Sequence, residues 1–242
     1  MLKLLSYQIE REKVVGSLHK TRSNKCVIIT HGLARNRSER LYVEFAKELE
    51  RNNINAFRFD FRGFGESEGK SEKFSHFTEC KDIKDTISYL NRKFQMEKFG
   101  VVGHSHTGIV ALMATALDER INAVVCWNGA FRPQKAWSSK EIKLITTKGY
   151  LYYKGVKIGI PLYESAKRIR PEEYAKKVRV PVLLLHGVKD ESVPLEESEF
   201  IYSKLAGKKK LIKVKGGDHF FTLPEVRKKV FALSLKWFKK YL

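Results

Sequence analysis

Residues 99–112 read FGVVGHSHTGIVAL. Ser105 stands between His104 and His106, where an apolar, strand-like run passes into a helix-like pattern. Gly103 lies two residues before it and Gly108 three after. A serine hydroxyl is a weak nucleophile at neutral pH and needs a base to take its proton and donors to hold the oxyanion that forms. A sharp strand-to-helix turn exposes the Oγ and sets the following backbone N–H at a helix N-terminus, where partial positive charge awaits an anion. Such a turn crowds its neighbours, which accounts for glycine at position 103. For the base there are seven histidines to choose from. His104 and His106 adjoin the serine in sequence and cannot easily bring a ring onto its hydroxyl. His186 ends an apolar run, His31 borders a loop, and His19 and His76 have no motif around them.

The elements that must position this serine alternate along most of the chain. VVGSLHK (14–20), KCVIITH (25–31) and NAFRFDF (55–61) read as strands, and LYVEFAKEL (41–49) carries Leu41, Phe45 and Leu49 at helical spacing. Ile83, Ile87, Leu90 and Phe94 form one apolar helix face, followed by strand FGVVGH (99–104), helix GIVALMATAL (108–117) and strand INAVVCW (121–127). VPVLLLHG (180–187) is the unbroken apolar run of a strand buried on both faces. A last strand, KLIKVKG (210–216), precedes a helix with Val226, Val230, Leu233 and Trp237 on one stripe. Strand–helix alternation with hydrophobic strands predicts an α/β fold, a mostly parallel sheet covered by helices on both faces. Residues 131–179 break the pattern. They show no clear strand alternation and many aromatic and basic residues, and they are too long for a simple connection. They are expected to form a small cap inserted into a core made of residues 1–130 and 180–242.

The string G-H-S-H-T resembles the G-x-S-x-G turn of the α/β-hydrolase family, with Thr107 where glycine is usual. The bulk of that threonine predicts a helix set slightly further from the sheet. Four further segments match in order. ITHGLARN (29–36) resembles the family's oxyanion loop, and FDFRGFGESEG (59–69) its D-x-R-G-x-G-x-S segment, where Asp60, the glycines and Ser67 read as structural. HGVKDESVP (186–194) resembles the acid loop, and GGDHFF (216–221) the final histidine loop. The resemblance covers the chain from about residue 25 onward, the insertion excepted. It implies an about eight-stranded sheet and a catalytic triad of Ser105, Asp190 and His219, with Asp218 the weaker alternative for the acid. It also implies an oxyanion hole from the backbone N–H groups of Leu33 and His106. In this branch, which includes esterases, monoacylglycerol lipases and serine aminopeptidases, His104 is a packing residue. The activity implied is hydrolysis of carboxylic esters through an acyl-enzyme without a cofactor; peptidase and thioesterase chemistry use the same triad. Among the cap aromatics, Phe131, Trp137 and Tyr153 are the expected substrate-pocket residues.

Bulk properties narrow the alternatives. The 242 residues hold 43% hydrophobic and 31% charged residues, enough for a packed core. No apolar run approaches the roughly 18 residues of a membrane span, and the N-terminal MLKLLSYQIEREK lacks the features of a signal peptide. Three cysteines, Cys26, Cys80 and Cys126, read as reduced thiols of a cytoplasmic protein. A metal site on His104 and His106 lacks a third ligand at suitable spacing. The net charge of +20 is uneven: residues 131–179 hold 13 basic against 4 acidic residues, and 201–242 hold 12 against 2. Such a surface favours anionic partners, yet there is no zinc-finger, RNA-recognition or basic-heptad pattern, so nucleic acid is not expected. A basic binding module on a hydrolase scaffold is the reading from another class. The expected partner is a small-molecule ester, anionic ones being favoured by the cap's charge, and a homodimer is compatible with the sequence.

Overall fold

The computed structural model describes residues Met1–Leu242. Ten strands and eight helices follow in chain order. They are β1 (Leu2–Ile9), β2 (Glu12–His19), β3 (Lys25–Ile29), α1 (Arg40–Arg51), β4 (Asn55–Phe59), α2 (His76–Phe94), β5 (Lys98–His104), α3 (Thr107–Leu117) and β6 (Ile121–Trp127). There follow α4 (Ser139–Lys148), β7 (Tyr150–Tyr153), β8 (Val156–Gly159), α5 (Ile160–Arg168), α6 (Pro171–Lys177), β9 (Val182–Gly187), α7 (Glu196–Lys204), β10 (Lys209–Val214) and α8 (Pro224–Tyr241).

Eight strands form one sheet in the order β1-β2-β4-β3-β5-β6-β9-β10. β1 pairs antiparallel with β2, and β2 antiparallel with β4; every other pairing is parallel. Because side chains alternate along a strand, neighbouring residues serve opposite faces. Cys26, Ile28 and Val101 enter a core of 40 buried residues beneath α2, α3 and the cap. Val27, Ile29 and Val102 enter a second core of 23 beneath α1 and α8. Both faces are therefore dry, as the continuous apolar runs of the central strands require. The chain leaves β3 toward β4 on one side and leaves β5 toward β6 on the other. The loops that follow β3 and β5 thus diverge at the carboxyl ends of adjacent strands, the place where open α/β sheets form a crevice.

Residues 131–179 hold α4, β7, β8, α5 and α6, of which α6 packs against α3 and α7, and contain one feature the sequence does not announce. β7 and β8 form a separate antiparallel hairpin. Leu151 and Ile158, which pair, are buried and Val156 packs beside them, while Tyr152 is two-thirds exposed and Tyr150 and Tyr153 are about one-third exposed. Exposed tyrosines in place of polar residues hide the usual strand alternation. The hairpin seats on the loop after β4: a Cβ at Gly159 would stand 1.9 Å from the Glu72 carbonyl oxygen, and Ser71 Oγ donates to the Lys157 carbonyl at 2.9 Å.

Candidate active site

The turn at Ser105 is built by close backbone contacts. Ser105 has φ of +57°, a left-handed conformation that non-glycine residues adopt at a cost. It is held there from both sides: its N–H donates to the Trp127 carbonyl at 3.0 Å, and its carbonyl accepts from Ala130 at 2.8 Å and Gly108 at 2.9 Å. A Cβ at Gly103 would lie 2.6 Å from the Thr107 carbonyl oxygen and 2.9 Å from the Ala111 Cβ. α3 therefore sits directly against β5, and the expectation that Thr107 pushes the helix outward is not met. The threonine is accommodated because its hydroxyl is used inside the turn. Thr107 is fully buried; its Oγ1 accepts from the His104 N–H at 3.0 Å and lies 2.8 Å from Thr30 Oγ1. The close approach that demands a glycine falls one place later, where a Cβ at Gly108 would meet Gly129 Cα at 2.7 Å.

Two distant loops converge on the serine. His219, in the loop after β10, brings Nε2 to 2.9 Å from Ser105 Oγ, and its Nδ1 lies 2.7 Å from Asp190 Oδ2 in the loop after β9. The side chain of Asp190 is fully buried. Burial pushes its pKa up, but the His219 hydrogen bond and the N–H groups of Val193 and Ser192 outweigh this and hold the carboxyl below its ordinary value. Asp218 turns away and accepts from the Thr222 N–H at 2.7 Å. The two loops interlock tightly, since a Cβ at Gly187 would lie 2.3 Å from the Gly217 carbonyl oxygen.

The loop after β3 closes the third side. A Cβ at Gly32 would stand 3.3 Å from Ser105 Cβ, which places Leu33 beside the serine. The backbone N–H groups of Leu33 and His106 make no hydrogen bond within the protein, and both residues line the cavity that opens at Ser105.

A buried polar chain joins these loops. Gly32 N–H donates to Tyr42 Oη at 3.1 Å, Tyr42 Oη contacts His104 Nδ1 at 2.7 Å, and His104 Nε2 contacts the His219 carbonyl at 2.9 Å. A carbonyl can only accept, so His104 carries its proton on Nε2 and Nδ1 accepts from Tyr42. Asn128 adds a second tie, donating from Nδ2 to the His219 and Asp218 carbonyls at 2.9 and 3.0 Å while its Oδ1 accepts from Gly187 at 2.7 Å. His104 thus does more than pack. It and Asn128 fix the loop carrying His219. Burial, with the nearby His219, lowers the His104 pKa to about 3. The unfolded imidazole takes up a proton near pH 6.5, so this histidine's contribution to stability is fully present above about pH 6.5 and is lost as pH falls toward 3. One such proton is worth about 1.4 kcal/mol per pH unit. Denaturant melts across this range are expected to show a shallower pH slope for His104→Gln than for the unchanged protein.

The other histidines have separate partners. His186 Nδ1 contacts Ser198 Oγ at 2.7 Å, His31 Nε2 accepts from the Phe61 N–H at 3.2 Å, and His19 Nδ1 meets Glu50 at 2.9 Å. His106 Nε2 lies 2.7 Å from Glu79, a nearly fully buried carboxylate, and its ring lies 4.7 Å from that of His76. No three histidine, cysteine, aspartate or glutamate side chains are grouped as metal ligands. Asp60 is buried and accepts from the backbone N–H groups of Arg37 and Glu66, and it pairs with the Arg37 guanidinium. A Cβ at Gly65 would strike its carboxylate at 2.3 Å, which explains that glycine in the D-x-R-G-x-G segment.

A cavity of about 540 Å³ opens at Ser105 under the cap, lined by Leu33, Ile109, Trp137, Leu151, Tyr153 and Val193 among others. Of the three expected pocket residues, Trp137 and Tyr153 line it. Phe131 does not: it is fully buried in the main core, its ring filling the space a Cβ at Gly129 would take, at 2.6 Å. A larger open cleft of about 730 Å³ lies between α1 and α8, but it is lined chiefly by charged side chains and holds none of these residues. Tyr42, Asn128 and Glu79 are the site's unforeseen members.

A doubly wound sheet of this order, with a serine on a left-handed turn after β5, defines the class of the α/β hydrolases. The chain belongs to the family described as "Serine aminopeptidase, S33", whose model matches residues 21–168. It is 29% identical over 207 residues to the uncharacterized protein YfhR of Salmonella typhi, covering 80% of this chain and 63% of that one. It is 26% identical over 186 residues to the human serine hydrolase BPHL, covering 66% and 62%. The chain thus spans a little under two thirds of these relatives. Its fold matches Est1E from Butyrivibrio proteoclasticus bound to ferulic acid, with a TM-score of 0.84 at 24% identity over 97% of this chain and 99% of that one. Mouse alpha/beta hydrolase domain-containing protein 10 matches with a TM-score of 0.81 at 21% identity, over 98% and 99%. No helix is long and apolar enough to cross a membrane.

Proposed function

We propose that this hydrolase cleaves carboxylic esters through an acyl-enzyme, with Ser105 as nucleophile, His219 as base and Asp190 orienting the imidazole. The contacts of 2.9 Å from Ser105 Oγ to His219 Nε2 and 2.7 Å from His219 Nδ1 to Asp190 carry this reading. Ser105 Oγ attacks the ester carbonyl carbon while His219 Nε2 takes its proton. The N–H groups of Leu33 and His106 receive the oxyanion, and each such donor is worth about 10²–10³ in rate. As the tetrahedral species collapses, the carbon–oxygen bond to the alcohol breaks and His219 protonates the leaving oxygen. Water then repeats the sequence on the acyl-enzyme, releasing the acid and freeing Ser105. Three free, buried cysteines suit a reducing compartment, and we place the protein in the cytoplasm.

The family description also raises aminopeptidase activity, which calls for a carboxylate to hold a substrate ammonium. Both carboxylates lining the cavity have protein partners, Glu197 through both oxygens and Glu141 through Oε2. Glu197 accepts from the Phe131 and Arg132 N–H groups and pairs with the Arg132 guanidinium, and Glu141 caps α4 through Ser138. This favours esters. A panel of p-nitrophenyl esters of rising chain length, with an aminoacyl anilide beside them, tests the choice. Ester kcat/KM is expected to exceed that of the anilide at least about a hundredfold, a difference of roughly 2.7 kcal/mol in activation free energy. Preferential cleavage of the anilide would contradict it.

A further inference from the structure

Two hollows meet at Ser105, and they differ in chemistry. The wide cavity borders Ser105 but not His219. A second, smaller cleft of about 70 Å³ borders both. On the reading of Ser105 and His219 given above, the leaving oxygen receives its proton from His219, so the alcohol departs through the hollow that His219 lines. The wide cavity is left for the acyl group.

The small cleft is basic. Arg35 and Lys154 line it, and no acidic residue does. The Arg35 guanidinium lies 4.7 Å over the ring of Phe220, the residue after His219, with one nitrogen 3.2 Å from Glu39 Oε1. Lys154 occupies the tip of the β7–β8 hairpin, its Nζ 5.4 Å over the Tyr153 ring and paired with no carboxylate. The tip itself is a two-residue turn in which Lys154 and Gly155 both have positive φ, +49° and +80°. Turns of this kind favour asparagine, aspartate or glycine at the first position, and lysine there carries a conformational cost. A tight turn also presents the Lys154 side chain from a fixed backbone, on the same cleft that Ser105 lines.

We propose that the alcohol released from the natural substrate carries an anionic group, a phosphate or a carboxylate, which Arg35 and Lys154 bind in the cleft beside His219.

The test uses three acetyl esters that differ only in the departing phenol, those of phenol, meta-hydroxybenzoate and meta-hydroxyphenyl phosphate, and beside them phenyl hemisuccinate, an ester of the same phenol as phenyl acetate whose charge lies on the acyl side. The readout is each charged ester's kcat/KM divided by that of phenyl acetate, compared between the unchanged protein and Arg35→Gln/Lys154→Gln, so intrinsic ester reactivity cancels. Losing two partly screened ion pairs is expected to lower this ratio about tenfold for the charged phenols, with the hemisuccinate ratio held within about twofold. Lys154→Gln alone, at an exposed hairpin tip, is expected to give about threefold. A larger loss for the phosphate than for the carboxylate assigns the cleft to the dianion. A ratio that moves less than about twofold in both variants overturns the proposal. So does an equal fall for the hemisuccinate, which would mean that the protein's overall positive field reads the charge. Turnover of phenyl acetate that survives Ser105→Ala would instead defeat the assignment of Ser105 as nucleophile, on which this proposal rests.

Discussion

Replacing Ser105 by alanine is expected to lower ester turnover by at least about 10⁴-fold while leaving the fold intact, because the acyl-enzyme has no other oxygen on which to form. The substitution removes only a hydroxyl that faces the cavity. The backbone bonds that hold the turn, from Ser105 N–H to Trp127 and from Ala130 and Gly108 to the Ser105 carbonyl, do not involve the side chain. Circular dichroism and melting temperature should therefore match the unchanged protein. A variant retaining near-full activity would remove the serine from its assigned role.

Asp190→Asn is expected to lower kcat by about 10³–10⁴-fold, and the hydrogen bonds around residue 190 explain the cause. Asp190 Oδ1 accepts from two backbone N–H groups, Ser192 at 2.8 Å and Val193 at 2.9 Å. An asparagine must keep its carbonyl oxygen there and so turns its NH₂ toward His219 Nδ1. Facing a donor, Nδ1 gives up its proton and Nε2 acquires it. The nitrogen beside Ser105 then has no lone pair to accept the hydroxyl proton. Steady-state kinetics on a p-nitrophenyl ester measure the loss; a decrease below about tenfold would mean that Asp190 does not set the tautomer.

The core of this arrangement was open to reading from sequence because it rests on local signals. The buried run VPVLLLHG, the helical stripe of α2 and the glycines around Ser105 each report their own surroundings. β1 gave no such report: it is an edge strand whose Leu2 and Leu4 are exposed, whose Leu5 is only partly buried, and whose Tyr7 and Ile9 are buried at its end. The cap hairpin was hidden by exposed tyrosines. Phe131 was misplaced because an aromatic residue near a site gives no sign of whether it faces substrate or core. Thr107 looked too large for its turn, since a sequence does not reveal that Thr30 and the His104 N–H wait for its hydroxyl. Tyr42, Asn128 and Glu79 were invisible for a common reason. Each acts through partners at least 27 residues away, His104, His219 and His106, and no spacing rule links them.

The most direct measurement is reaction of the protein with a fluorophosphonate followed by peptide mass spectrometry. An activated serine forms a stable phosphonyl adduct, so a single adduct on Ser105 is expected, absent in Ser105→Ala and much slower to form in His219→Ala. No adduct, or one on another residue, would contradict the account.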